Sequence, residues 1–255
     1  MNFGAIIIGD EIIRGKRQDK HFAKTVEVLA ARGLKLSWAQ YLADDRALIT
    51  STLDRTFKTD DIVFSFGGIG ATPDDHTRQC AAAAAGVELY LHPEAEAEIR
   101  SRFDREITPL RLQMGEFPRG SSIIPNPYNR IPGFTWGHHH FVPGFPVMAW
   151  PMIEWVLDTK YRHLFHQVQE SEASITVYGL PESGITPLMT DAESHYKRLK
   201  SFSLPSVGDD GTRRHIELGV RGFPDEVALA IEDMKKGVTA LGGTWEPGPA
   251  KRSQG

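Results

Sequence analysis

Phe3 to Ile8 is a nearly continuous apolar run closed by Gly9-Asp10-Glu11, a pattern that suits a central parallel strand buried on both faces. Phe22, Val26, Leu29 and Ala30 then recur at helical spacing, with Gly33 as the C-terminal stop, and Leu34, Leu36 and Trp38 alternate as a strand. Asp44 or Asp45 caps the next helix, which carries Ile49, Leu53 and Phe57 on one stripe. Ile62-Val63-Phe64-Ser65-Phe66 reads as another buried strand, and Thr77 to Ala85 as a helix stopped by Gly86. Strand and helix alternate, which predicts an α/β fold with a mainly parallel sheet.

Pro93 to Ile107 reads as a charged surface helix. The stretch that follows, to Pro146, is rich in Pro, Gly, Asn and aromatics. Its strand-like runs end in turn residues at Ile124-Pro125-Asn126-Pro127 and Val142-Pro143-Gly144-Phe145-Pro146. A helix over Val147 to Leu157 comes next. Beyond a polar stretch the rhythm changes to strand Ser174–Tyr178, helix Ile185–Tyr196, strand Lys200–Leu204, strand Arg214–Val220 and helix Asp225–Leu241. That is a βαββα unit of small-domain size, and Glu246 to Gly255 reads as a disordered tail. The expected division is a large domain over 1–168, a small α+β domain over 169–248 and a tail over 249–255.

At 255 residues and 40% hydrophobic content the chain can bury a full core. A net charge of −4 gives no general attraction to nucleic acid or anionic membrane, so neither is expected as a partner. The single cysteine, Cys80, excludes an intramolecular disulfide framework and a thiolate zinc cluster, fits a reducing cytoplasm, and is expected in helix packing. No apolar run approaches the ~20 residues of a membrane span. The N-terminus lacks the pattern of a signal peptide.

The chemistry concentrates in Gly67-Gly68-Ile69-Gly70-Ala71-Thr72-Pro73-Asp74-Asp75-His76-Thr77, between a strand's C-terminal end and a helix N-terminus. There, free backbone N–H groups and the helix dipole favour an anion, and glycines let the backbone approach it. In parallel sheets ligands lie beyond the carboxyl ends of the strands, which brings Asp10 and Glu11 to the same site. Asp10, Glu11, Asp74 and Asp75 are the candidate ligands of a hard cation such as Mg²⁺, Mn²⁺ or Co²⁺. Capping accounts for one Asp in front of the Thr77 helix, but not for two beside Gly-Gly-Ile-Gly. Thr72 and Thr77 offer hydroxyls to phosphate or to a cap, and Lys16, Arg17 and Lys20 offer charge to phosphate or to solvent.

In His138-His139-His140 an alternating strand places His138 and His140 on one face without a third ligand, a structural pattern. Asn126 and Asn129 can bond a heterocycle or form turns. Ser121-Ser122 lacks the context of a nucleophile elbow. Gly179 to Gly184 lies between a strand and a helix and carries an acid, unlike the loop of a nucleic-acid-binding KH module.

Gly9-Asp10-Glu11, the Gly67 to Thr77 loop, Asn126-Pro127 with Pro132-Gly133-Phe134, and Pro143-Gly144-Phe145-Pro146 occur in one order. Together they resemble the competence/damage-inducible protein A (CinA) family over the first ~165 residues. The resemblance implies a three-layer fold of the MoaB/MogA molybdopterin-binding type, followed by a KH-like middle region. The C-terminal amidase domain of longer relatives is not matched, so deamidation is not carried over. The family's N-terminal domain is associated with metal-dependent hydrolysis of the ADP-ribose pyrophosphate, and the MogA branch with adenylyl transfer to molybdopterin. By resemblance, a nucleotide or pterin pyrophosphate is the expected ligand, in a homo-oligomer. Asp74 and Asp75 are the expected catalytic residues, with Asp10 and Glu11 completing the metal set and Gly67, Gly68, Gly70, Thr72 and Thr77 holding phosphate. Ala71 stands where the family usually has proline, and His21 near a usual asparagine. Asn129-Arg130-Ile131 replaces a small Gly-Thr-Ala segment, so that Arg130 either reads an extra phosphate or blocks the family's ligand; Asn126 and Arg130 join the candidate ligand contacts. A non-catalytic binding protein is the remaining alternative.

Overall fold

The computed structural model describes residues 2–167, 170–207 and 213–249. It divides into two compact units, Met1–Gln167 and Val168–Gly255.

In the first unit β1 (Phe3–Ile8) leads into the short helix α1 (Asp10–Ile13) and then α2 (His21–Ala30), β2 (Leu36–Leu42), α3 (Arg46–Phe57), β3 (Ile62–Phe66) and α4 (Thr77–Ala85). A small antiparallel pair, β4 (Leu89–Leu91) and β5 (Glu116–Pro118), brackets α5 (Pro93–Phe103) and α6 (Pro109–Gln113). The chain returns to the sheet through β6 (Ser122–Ile124), β7 (Gly133–Trp136) and β8 (His139–Val142), and ends in α7 (Pro146–Lys160). The six-stranded sheet has the order β2-β1-β3-β8-β7-β6. β1, β2, β3 and β8 are parallel, whereas β7 is antiparallel to both of its neighbours.

The apolar run of β1 is buried throughout because the sheet has a helical layer on each side. Ala5 and Ile7 pack with Val28 and Leu29 of α2 and Ile153 and Val156 of α7. Ile6 and Ile8 pack with Ile49 and Leu53 of α3 and Cys80 and Ala81 of α4. Each such aliphatic side chain contributes about 1.5–3 kcal/mol on burial. Asp45 caps α3 by accepting from the Leu48 N–H at 2.7 Å.

Three details differ from the sequence reading. The buried stripe of α2 is His21, Thr25, Val28 and Leu29, while Phe22 and Val26 are 43% and 41% exposed. Polar residues take the inner positions because they find partners there: Thr25 Oγ1 donates to the His21 carbonyl at 2.7 Å, and His21 Nε2 lies 3.0 Å from the Gly144 carbonyl oxygen. The helix over Pro93 ends at Phe103, where Asp104 takes a left-handed φ of 45°. β8 starts at His139, so His138 is exposed in the turn and the adjacent His139 and His140 are both buried, on opposite sides of the strand. His139 Nε2 pairs with Thr56 Oγ1 at 2.9 Å. His140 pairs with Thr135 Oγ1 at 2.9 Å and Tyr161 OH at 2.8 Å.

The second unit contains β9 (Ser171–Tyr178), α8 (Glu182–His195), β10 (Leu199–Ser206), β11 (His215–Gly222), α9 (Pro224–Ala240) and β12 (Thr244–Pro247). Its antiparallel sheet has the order β10-β11-β9-β12 and packs Ile175, Val177, Leu218 and Val220 against Ile185 of α8 and Ile231 and Met234 of α9. The result is a distinct small α+β unit of order βαββαβ, one strand beyond the expected KH-like pattern. β12 lies partly within the stretch read as a tail. Glu246 pairs with Thr176, and Gly248 N–H donates to the Ser174 carbonyl at 2.9 Å. An edge position tolerates Pro247, whose type argues against a strand in sequence. Residues 250–255 of the expected tail lie outside the described residues. Among the described residues no helix is long and apolar enough to cross a membrane.

Candidate functional site

Three loops leave the C-terminal ends of adjacent parallel strands. Ile7 of β1 aligns with Phe66 of β3, and Phe66 with Val142 of β8, so Gly9, Gly67 and Pro143 emerge side by side. The loops touch through glycine backbones. Gly67 donates its N–H to the Val142 carbonyl at 3.0 Å and has φ 97°. A Cβ on Gly67 would lie 2.5 Å from the Ile8 carbonyl oxygen, and one on Gly144 would lie 3.4 Å from Gly67 Cα.

Gly68 takes φ 70°, and its carbonyl accepts the Thr77 N–H at 2.9 Å. Thr77 is fully buried and donates its hydroxyl to the Gly67 carbonyl at 3.1 Å, so it ties the loop back onto the helix. Asp75 Oδ2 accepts from both the N–H and the hydroxyl of Thr72, at 2.9 and 2.5 Å, and lies where a side chain on Gly70 would go. The first helical bond of α4 runs from Cys80 N–H to the His76 carbonyl. The amides of Arg78 and Gln79 are therefore left without a helical acceptor, at the end of the helix that favours an anion.

Asp10 lies across from Asp44. The Asp10 N–H donates to Asp44 Oδ2 at 2.8 Å, the Asp44 N–H donates to Asp10 Oδ1 at 3.2 Å, and Arg14 donates to Asp10 Oδ2 at 2.6 Å. Glu11 pairs with Arg17 at 3.7 Å. Burial raises the pKa of Asp44, and the like charges of Asp10, Glu11 and Asp74 raise it further, against a lowering by the Asp10 N–H. The acids of the first and second motifs thus share one electrostatic neighbourhood, to which Asp44 belongs as well. They do not form the expected metal centre: among the described residues no three acidic, His or Cys side chains converge on a cation position. Asp10 has both oxygens engaged and Asp75 has one on Thr72, so the carboxylates do not fit a cation as they stand.

On the α2 side of the same edge a cavity of about 330 Å³ is lined by Ile8, Ile12, Phe66, His21, Phe145 and Arg17, among others. The His21 ring stacks on Phe66 with centroids 4.5 Å apart. Burial lowers its pKa, partly offset by the Gly144 carbonyl and Asp19, which leaves a neutral imidazole to join the α2 start to the loop after β8. Arg17 and Lys20 line the same cavity, so the basic run meets the edge predicted for it.

Asn126 and Arg130 have local partners. Asn126 Nδ2 donates to the Ile131 carbonyl at 2.9 Å and its Oδ1 accepts from Tyr128 N–H at 3.1 Å, which folds the loop on itself. Arg130 forms a forked pair with Glu98 at 2.8 and 3.2 Å. β6 is separated from β3 by β8 and β7, so this loop leaves the same edge three strand spacings, ~14 Å, from Gly67. Arg130→Ala is expected to leave ligand affinity within about twofold of wild type and to lower stability by at most ~1 kcal/mol, the range of an exposed ion pair. Titration calorimetry and urea unfolding read the two quantities.

Sequence reasoning missed Arg78, which is 2% exposed and donates to the Gly70 carbonyl at 2.7 Å. The available signal was an arginine in an otherwise small and apolar helix just after the loop.

Residues 4–163 match the family of the probable molybdopterin binding domain. A CinA-like protein of Anaeromyxobacter dehalogenans is 30% identical over 235 residues, covering 89% of this chain and 53% of that protein. The chain thus spans about half the length of these CinA-like relatives. A protein of Pyrobaculum arsenaticum is 27% identical over 234 residues, 89% of this chain and 88% of its own length. Among solved structures, the CinA protein of unknown function from Thermoplasma acidophilum superposes with a TM-score of 0.57 at 26% identity, over 62% of this chain and 98% of that one. From the matched span and the similarity to CinA-like proteins, the chain belongs to the molybdopterin-binding-domain family, and its first unit is a domain of the CinA N-terminal type.

Proposed function

We propose that the chain binds the pyrophosphate of a nucleotide or pterin at the carboxyl edge of its first sheet and cleaves that bond in a nucleotide sugar such as ADP-ribose. The observation that carries this reading is the Gly67–Thr77 loop, with two left-handed glycines ahead of a helix whose first amides are free of helical acceptors. The neighbouring cavity, apolar on Ile8, Ile12 and Phe66 and lined by Arg17 and Lys20 together with Glu11 and Asp19, supports a ligand that joins a ring to a polar group. Asp74 and Asp75 are the catalytic carboxylates of the proposal. Hydrogen bonding within the loop lowers the Asp74 pKa from its ordinary value, so Asp74 is ionised at neutral pH. The resemblance implies a divalent cation, but among the described residues these carboxylates do not cage one by themselves.

A second reading, adenylyl transfer to a pterin, takes the same loop and draws on the family match to a molybdopterin binding domain. Incubation with ADP-ribose and Mg²⁺, Mn²⁺ or Co²⁺, followed by chromatography, should give AMP and ribose 5-phosphate. An adenylylated pterin formed from ATP, without ADP-ribose cleavage, would favour the second reading. Asp75→Asn keeps an acceptor for Thr72 and removes the charge. It is expected to lower kcat by about 100-fold, as for loss of a positioned acid or base; unchanged turnover would sink this assignment.

A further inference from the structure

Arg78 is buried although arginine is rarely buried without a charged partner. Its Nη2 donates to the Gly70 carbonyl, its Nη1 donates to the Gln113 carbonyl, and its Nε has no partner. Among the described residues no carboxylate lies within ion-pair distance of it. Glu116 and Asp75 act on it only through space, Glu116 the more strongly. A guanidinium stays charged under these conditions. The chain thus keeps a whole positive charge desolvated beneath Gly70, bound to neutral carbonyls alone. An uncompensated buried charge is costly, and in a poorly polarisable setting its field reaches the loop above it with little screening.

We propose that Arg78 is the buried countercharge of the phosphate loop: it fixes the Gly70 carbonyl from below and lends positive potential to an anionic phosphate or pyrophosphate resting on the loop. This rests on the phosphate-site reading above and deepens it. Arg78 is a positioning residue, since it acts through Gly70 and touches no ligand. Its second bond anchors the C-terminal end of α6 to the same point, so that the loop is braced by a segment far from it in sequence.

The test is calorimetric titration of the whole chain with inorganic pyrophosphate. Arg78→Lys keeps the charge and one donor, and is expected to bind within about threefold of wild type. Arg78→Gln keeps a donor and loses the charge, and is expected to bind about 10- to 30-fold more weakly with its near-ultraviolet circular dichroism preserved. Glu116→Gln removes the opposing charge without touching Arg78 and is expected to tighten binding about threefold, a gain that misfolding cannot produce. Wild-type affinity in Arg78→Gln, equal weakening in the lysine and glutamine variants, or unchanged affinity in Glu116→Gln would each overturn the inference. If Arg78→Gln does not fold, the lysine and Glu116 variants decide. Absence of saturable pyrophosphate binding by the wild-type chain would instead remove the phosphate-site reading, and the inference with it.

Discussion

Gly68→Ala is expected to weaken pyrophosphate or nucleotide binding by about 1000-fold and to lower the stability of the first unit by about 2–4 kcal/mol. Gly68 holds φ 70°, which an alanine adopts at a cost of ~1–2 kcal/mol. The added Cβ would also lie 2.1 Å from Thr77 Oγ1, and Thr77 is fully buried with its hydroxyl and N–H both bonded to the loop. The loop must therefore open at the place where it joins the helix, which removes the anion site. Gly86→Ala is the matched control. Gly86 has φ 67°, but a Cβ there meets nothing within 4 Å, and it ends the same helix at its opposite terminus. It should show the backbone strain without the loss of binding. Equal affinity for Gly68→Ala and wild type in titration calorimetry would contradict the loop's assignment.

The first unit is also expected to lose at least about 3 kcal/mol of stability between pH 7 and pH 4.5, before most carboxylates titrate. Burial, with the nearby His138 adding to it, pushes the His139 pKa down to about 3. Burial likewise holds His140 well below the ordinary imidazole range. Both rings stay neutral in the folded chain, while the unfolded chain takes up protons near pH 6.5. Folded pKa values below the unfolded one mean that stability is complete above about pH 6.5 and falls as the pH drops toward the folded value. The His139 shift alone corresponds to a loss of roughly 3 kcal/mol by pH 4.5, and His140 adds to it in the same direction, against total domain stabilities of about 5–15 kcal/mol. Urea midpoints followed by tryptophan fluorescence at pH 7.5, 6 and 5 measure the slope. His139→Gln, which can still bond Thr56, should lower stability at pH 7.5 and flatten the slope. A pH-independent midpoint in the wild type would refute the buried neutral histidines.

The elements around β1 and β3 were legible because continuous apolar runs bounded by Gly-Asp and Gly-Gly leave few alternatives to a two-faced central strand. The co-location of Asp10 and Glu11 with the Gly67 loop followed from parallel order alone. What escaped the sequence was partner-dependent. His21 and Thr25 are polar by type, but their bonds to Gly144 and to the helix backbone let them occupy the inner face of α2. Arg78 reads as a solvated side chain until the Gly70 and Gln113 carbonyls are placed around it. The partners of Asn126 and Arg130 were not legible either: Asn126 bonds within its own turn, and Arg130 reaches Glu98 of α5. Asp44 and Asp45 are equal cap candidates by type; Asp45 is the cap, and Asp44 faces Asp10.

β8 joins β3 in parallel and β7 in antiparallel, so the β6–β7–β8 meander enters the sheet through β8 alone. Until residues 139–142 arrive, β3 presents an open row of backbone donors and acceptors, the kind of edge that recruits stray strands. The Gly67 N–H also lacks the Val142 carbonyl that seats it. A growing chain thus seats its glycine loop and closes that edge in the same event. A ligand that recognises the loop selects molecules whose sheet is complete, and at 100 times its dissociation constant it would add ~2.7 kcal/mol against reopening that seam.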